Sequence, residues 1–117
     1  QISLPNDVKE LNILEAESLI SLDNVPHTQF ISLESCEKLE IISPSLQVKM
    51  FEMKECGSIK SIKSLQFLEK LKLTSLENLR NIEDLPSLIT LQVDNCDSLR
   101  KVTNLPLCKK YGKRFRR

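Results

Sequence analysis

The chain has 117 residues, a formal net charge of +1, a hydrophobic fraction of 40% and an aromatic fraction of only 4%. This length is enough for one domain with a modest core of leucine and isoleucine, and the presence of only two glycines argues against a fold built on glycine-rich ligand loops. No apolar run approaches the roughly 20 residues that a membrane-spanning helix needs.

A repeat of 20 residues organises the sequence, and it is clearest in the two copies LEKLKLTSLENLRNIEDLPS and LITLQVDNCDSLRKVTNLPL. Repeats of 20 to 50 residues are typical of solenoids, in which each unit buries its apolar residues only by stacking on its neighbours. Five full copies occupy residues 8–107. They begin at Val8, Thr28, Val48, Leu68 and Leu88, and a truncated sixth begins at Cys108.

Five positions of the repeat are apolar in every full copy. Positions four and six hold Leu11, Ile31, Phe51, Leu71 and Leu91, and Ile13, Leu33, Met53, Leu73 and Val93. Positions nine, twelve and fifteen hold Ala16, Cys36, Cys56, Leu76 and Cys96, then Leu19, Leu39, Ile59, Leu79 and Leu99, then Leu22, Ile42, Ile62, Ile82 and Val102. Position eighteen is apolar as well, except that the second repeat carries Ser45 there.

The spacing of these positions predicts the local structure. Positions four and six are two apart, so they face the same way on a short strand. The later positions are three apart, which favours a tight extended or 3₁₀ return arm with no room for a full α-helix. The predicted strands are 10–14, 30–34, 50–54, 70–74 and 90–94.

The pattern L-x-x-L-x-L-x-x-C-x-x-L-x-x-(I/V)-x-x-L-P resembles the leucine-rich repeat family, and it does so over residues 8–107. The C-x-x-L segment and the Leu-Pro ending resemble plant intracellular nucleotide-binding immune receptors, whereas the constant length resembles bacterial effectors. The resemblance implies an α/β-type, mainly β, right-handed solenoid with a parallel sheet on its concave face. It also implies that this face binds another protein, or another domain of the same chain, within a larger receptor or effector.

The pattern is broken inside and outside the repeats. Ser43-Pro44-Ser45 and Gly57 interrupt it within the second and third copies. Residues 1–7 are interpreted as the end of a preceding repeat or a cap, and residues 108–117 as a basic C-terminal tail. Because neither end shows a convincing cap, we expect the chain to be the terminal part of a larger protein.

The four cysteines, Cys36, Cys56, Cys96 and Cys108, lack the closely spaced pairs of a zinc site. Cys36 and Cys56 are stacked neighbours, but parallel Cβ directions do not suit a disulfide, so buried reduced thiols are favoured. Such thiols fit a cytoplasmic location.

Nothing in the sequence favours catalysis. The only histidine, His27, is placed in a turn, and no nucleophile elbow, phosphate loop or metalloprotease motif is present. We therefore expect no enzymatic activity, no cofactor, no metal and no small-molecule substrate.

The concave face is the favoured binding surface, and its outward side chains stand at positions three, five and seven of the repeat. Phe30 and Met50 share one column there, and exposed apolar groups on a protein surface often mark a binding site. The predicted partner-binding residues are Phe30, Met50, Glu52, Lys70, Lys72 and Gln92. The alternative is that Phe30 and Met50 only pack on each other as cross-strand neighbours.

Charged columns run along the return arm, with Lys60, Arg80 and Arg100 at position thirteen and acids at position ten. They are interpreted as a solvated face of paired opposite charges, or as an anion-binding site for nucleic acid or acidic lipid that the basic tail extends. The residues of that alternative are Lys60, Arg80, Arg100, Lys109, Lys110, Lys113 and Arg114. A structural spacer without a partner is a third possibility.

Overall fold

The computed structural model describes residues 7–23, 25 and 27–114, and it shows an all-β solenoid of about five turns. Each turn contributes a long strand to one side. The long strands are β1 (Asp7–Leu14), β3 (His27–Glu34), β5 (Val48–Lys54), β7 (Lys70–Thr74), β9 (Thr90–Asp94) and β11 (Lys110–Arg114). The return arms contain the short strands β2 (Ser21–Leu22), β4 (Ile41–Ile42), β6 (Ser61–Lys63), β8 (Asn81–Glu83) and β10 (Lys101–Thr103).

The long strands form one six-stranded parallel sheet in the order β1-β3-β5-β7-β9-β11. Every pairing joins residues one repeat apart, so that Phe51 pairs with Leu71, and Leu71 with Leu91. The predicted register and strand positions are therefore confirmed, although β1, β3 and β5 begin earlier than predicted. His27 is the first residue of β3 and does not lie in the expected turn.

The return arms are extended, which was one of the two conformations predicted from the sequence, the other being 3₁₀. Each arm follows a single turn, in which the Leu39 amide donates to the Cys36 carbonyl at 3.2 Å and the Leu79 amide to the Leu76 carbonyl at 3.3 Å. Neither an α-helix nor a 3₁₀-helix occurs among the described residues, so the expected α/β character gives way to an all-β chain. None of these residues forms a helix long and apolar enough to cross a bilayer.

The predicted apolar columns form the core between the two sides of the solenoid. Phe51, Leu73, Leu79 and Ile62 are each at most 1% exposed. Position one of the repeat adds a further buried column that the sequence analysis did not identify. Its members are Thr28, Val48, Leu68 and Leu88, all fully buried.

The corner of the second repeat departs from the predicted register. Ser45 is exposed, and the next residue, Leu46, fills the core there with an exposure of only 4%. The Leu46 amide donates to the Ser43 carbonyl at 3.2 Å, while in the fourth repeat the equivalent turn joins Leu88 and Leu85. The return-arm strands divide beside this corner into two sheets, β2-β4 and β6-β8-β10.

A left-handed residue ends each long strand of the five full repeats, at position eight. Its amide still extends the parallel ladder, as when Ser35 donates to the Lys54 carbonyl at 2.9 Å. Left-handed backbone costs an ordinary L-residue about 1–2 kcal/mol, so these corners are held by the stacking around them. The residues are Glu15, Ser35, Glu55, Ser75 and Asn95, with φ between 53° and 57°.

The last repeat continues into the region predicted as a tail. Lys110–Arg114 forms β11 and pairs with β9, so this part of residues 108–117 belongs to the sheet. The interpretation of residues 1–7 falls outside the described residues, apart from Asp7, which begins β1.

Candidate functional site

The outer surface of the six-stranded sheet carries the predicted outward columns. Alternation along β5 separates the two faces, since Phe51 is 1% exposed while Met50 beside it is 37% exposed. The third position of successive repeats gives the column Glu10, Phe30, Met50, Lys70, Thr90 and Lys110. The fifth position gives Asn12, Ser32, Glu52, Lys72, Gln92 and Gly112.

Phe30 and Met50 lie directly opposite each other on β3 and β5, and Lys70 continues their column on β7. Phe30 is half-buried. Beside them the sheet forms a shallow cavity of about 250 Å³. Its lining includes all six predicted partner-binding residues, and it consists of Phe30, Met50, Phe51, Glu52, Lys70, Leu71, Lys72, Thr90 and Gln92.

Lys70 and Lys72 are the exposed cations of this cavity. Glu52 lies opposite Lys72 in the β5–β7 register, yet within the described part of the chain no carboxylate comes within 4.0 Å of either ammonium group. Their aliphatic stems line the cavity while their charged ends remain in water. The site therefore combines an apolar centre with two cations that form no ion pair with any described residue.

Gln92 closes the cavity on the far side of Lys72. Its side-chain Nε2 donates to Asp94 Oδ2 at 3.0 Å, which fixes the direction of the amide group. Gln92 therefore presents a constrained polar edge to the cavity, in contrast to the flexible lysines beside it.

Two apolar residues near this face were missed from the sequence. Phe67 is 54% exposed and Ile89 is 40% exposed, and they precede β7 and β9 respectively. Neither residue belongs to one of the repeating apolar columns. An apolar residue outside those columns is predicted to lie outside the core, and this signal could have identified both.

A larger cavity of about 540 Å³ lies at the corner after the long strands, away from the predicted site. Its acidic side chains are Glu37, Glu55, Glu77 and Asp97. Gly57 opens it, because a Cβ there would stand 2.9 Å from Glu37 Oε2 and 3.2 Å from Glu77 Oε1. Among the described residues, no group of three or more histidine, cysteine or acidic side chains is arranged to hold a metal ion.

The basic column at position thirteen is present and exposed. Consecutive backbones stack, with the Arg80 amide donating to the Lys60 carbonyl at 2.8 Å and the Arg100 amide to the Arg80 carbonyl at 2.9 Å. No ion pair links this column to the acidic one in residues 7–23, 25 and 27–114, so the expected pairing of the two is not found. A nearby pair instead joins Lys101 Nζ to Glu83 Oε2 at 3.5 Å.

The basic tail does not extend that column, contrary to the sequence-based expectation. Lys110, Lys113 and Arg114 belong to β11 in the large sheet, and Lys109 immediately precedes that strand, whereas the column precedes the short strands of the return arm. The reason is the repeat itself, since residues 108–114 occupy positions one to seven, which form the long strand.

The cysteines are free thiols, as predicted. Cys36, Cys56 and Cys96 are buried and Cys108 is half-buried. The Sγ atoms of Cys56 and Cys96 donate to the carbonyls of Lys54 and Asp94 at 3.5 Å. Burial raises the pKa of Cys56 from its usual 9.0 to about 11 and also raises the pKa of Cys96, so both thiols stay protonated and inert near neutral pH.

Comparisons with protein-family models, with curated proteins and with solved structures found no match for this chain.

Proposed function

We propose that this chain is a leucine-rich-repeat recognition module whose large sheet binds a protein segment, in a cytoplasmic receptor or effector. The recurring apolar columns, the one-repeat register and the parallel sheet support the repeat assignment. The buried reduced thiols support the compartment.

The convergence of six side chains on one cavity is the observation that carries the proposal. Partly exposed apolar residues surrounded by charged groups are typical of the centre of a protein interface. Phe30 and Met50 would be buried against the partner, while Lys70, Lys72 and Glu52 orient it and exclude partners of the wrong charge.

Simple packing of Phe30 on Met50 accounts for less of the geometry. The two residues are cross-strand neighbours, but Met50 remains 37% exposed and the cavity beside it is open. An apolar surface that its own neighbour leaves uncovered favours an external partner.

Selection from a library of random peptides displayed on phage tests the proposal without a known partner. Enriched peptides are expected to bind the native chain and to bind Phe30→Ser at least about tenfold more weakly, which is the loss of one interface centre residue. Ile41→Ser is the matched control, because Ile41 is 56% exposed but lies in β4 on the return arm.

Circular dichroism first establishes that both variants fold. Peptides that bind the native chain and Phe30→Ser equally, or that lose affinity only for Ile41→Ser, would contradict the proposed face.

A second candidate function is polyanion binding by Lys60, Arg80 and Arg100, which stack without neutralising acids among the described residues. Binding to a 20-nucleotide single-stranded DNA is measured at several salt concentrations. Replacing all three residues with glutamine should make the slope of log affinity against log salt concentration shallower by about 2. A matched triple replacement of Lys109, Lys110 and Lys113 tests the tail separately. Affinity lost only in the second triple variant would remove the return arm from this function.

A further inference from the structure

We infer that the partner of this cavity presents an apolar side chain together with a carboxylate, and that a cationic segment is rejected. The inference rests on the proposed recognition function and specifies the chemistry of the partner. It follows from the charges around the Phe30–Met50 pair, since the apolar centre alone would accept any hydrophobic residue.

The lining of the cavity has an excess of positive charge. Lys70 and Lys72 contribute two positive charges and Glu52 one negative charge, which gives a net charge of +1. Both lysines are exposed, and within the described part of the chain neither has a carboxylate within 4.0 Å. An incoming carboxylate therefore has two ammonium groups to contact and displaces no existing ion pair.

Neighbouring concavities have a different charge and would select different groups. The corner cavity is lined by Glu37, Glu55, Glu77 and Asp97 without any lysine or arginine. A concavity of about 340 Å³ further along the same strands has three acids, Glu34, Glu52 and Asp94, against Lys54 and Lys72. A third, of about 260 Å³ near β11, has one of each sign, Asp94 and Lys110. Excess positive charge coincides with an exposed apolar centre only at the Phe30–Met50 cavity among these four.

The distances suit one short group that carries both features. Lys70 pairs with Met50 on the neighbouring strand, and paired strands lie about 4.8 Å apart across the sheet. Lys72 is two residues beyond Lys70 on the same strand, which is about 7 Å along it. A flexible lysine side chain covers such separations. Burial of an apolar group over Met50 would also remove water from the lysine stems and strengthen the contact of their ammonium groups with an acid.

Three small probes of similar size separate charge from hydrophobicity: 3-phenylpropionate, 3-phenylpropanamide and 3-phenylpropylamine. Each is titrated into the native chain while the Met50 methyl resonance and the amides of β3, β5 and β7 are followed by NMR. With about 0.3 kcal/mol for each of roughly 11 non-hydrogen atoms, millimolar dissociation constants are expected. The expected order of affinity is acid, amide, amine, with the acid about two- to fivefold tighter than the amide.

The double variant Lys70→Gln/Lys72→Gln should bind the acid and the amide with equal affinity, so that the preference for the acid is lost. Lys60→Gln/Arg80→Gln is the matched control, because it also removes two positive charges, but from the return arm. This variant should retain the preference for the acid over the amide.

Equal binding of acid and amide, or strongest binding of the amine, would overturn the inferred carboxylate while the shift of Met50 still supports a recognition surface. Failure of every probe to shift Met50 at 20 mM would also overturn the inference. If the displayed peptides then bind Phe30→Ser as well as the native chain, the proposed function fails too.

Discussion

The second and fourth repeats bury the same columns but differ at the outer surface and at one corner. Leu33 and Leu73 are equivalent and both at most 1% exposed. On the outside, however, Phe30 stands where the fourth repeat has Lys70. Stacking therefore fixes the inward positions of these repeats and leaves the outward positions free to differ, and the proposed recognition surface lies at those outward positions.

The corner of the second repeat shows how much irregularity the stack accepts. The turn closed by the Leu46 amide and the Ser43 carbonyl comes two residues earlier in its repeat than the turn closed by Leu88 and Leu85, and Leu46, like Leu88, is buried. The return-arm sheet is interrupted there, but the six-stranded sheet runs through without a break. A turn displaced by two residues is tolerated because an apolar side chain still reaches the core.

The largest effect is expected from a charge in the shared core column. Leu73→Asp and the equivalent Leu33→Asp should both unfold the chain, since a buried carboxylate without a partner costs several kcal/mol. Far-UV circular dichroism should show loss of the β signal in both, while Lys72→Asp, one residue away on the exposed face, stays folded. A cooperatively folded Leu73→Asp would show that this column is not core.

A smaller effect on stability is expected at the corners of the second and fourth repeats. Leu46→Ala and Leu85→Ala should each lower the free energy of unfolding by about 2–4 kcal/mol in urea titrations, because each leaves a cavity. Ser45→Ala, the control for the repeat-derived register, should change it by less than about 0.5 kcal/mol. The reverse result, with Ser45 sensitive and Leu46 not, would restore the register expected from the repeat.

The sequence predicted the inward columns because an apolar residue at the same position of five repeats has one explanation, a shared core. It did not reveal that Leu46 rather than Ser45 is buried at the corner of the second repeat, since periodicity does not determine where the turn falls. The buried column at position one was missed because Thr28 interrupts its apolar character.

The candidate site was predictable in part. The alternation along each strand correctly placed Phe30, Met50, Glu52, Lys70, Lys72 and Gln92 on one face. The cavity among them depends on side-chain shape, which no pattern encodes. The expected pairing of the charged columns was not found among the described residues.

Position nine of the repeat carries buried free thiols at Cys36, Cys56 and Cys96. Because the fold raises the pKa of Cys56 to about 11, the neutral thiol is the favoured form. Its contribution to stability is complete below about pH 9 and is lost as the pH rises toward 11. Reaction with a disulfide reagent at pH 8 should be about 100-fold slower for this thiol in the native chain than in urea.

The same labelling experiment contains its own control, since the half-buried Cys108 should react first. Mass spectrometry of the labelled peptides distinguishes the sites. Labelling of Cys56 as fast as Cys108 would contradict the tight stacking of the third repeat.

The smallest effect concerns the left-handed corners. Glu55 has φ 54° and an exposed side chain, so Glu55→Gly should stabilise the chain by about 0.5–1 kcal/mol. Lys54→Gly, one residue earlier and within β5, should destabilise it by a similar amount because glycine weakens a strand. A loss of stability in both variants would mean that the corner is not left-handed.

The free energy of unfolding of Phe30→Ser, measured in urea beside its affinity for the selected peptides, tests the separation of scaffold from recognition surface most directly. We expect a loss of no more than about 1 kcal/mol, the value of a cross-strand pair, together with an affinity at least about tenfold weaker. A loss of about 3 kcal/mol or more would make Phe30 a core residue and would contradict the assignment of this face to a partner.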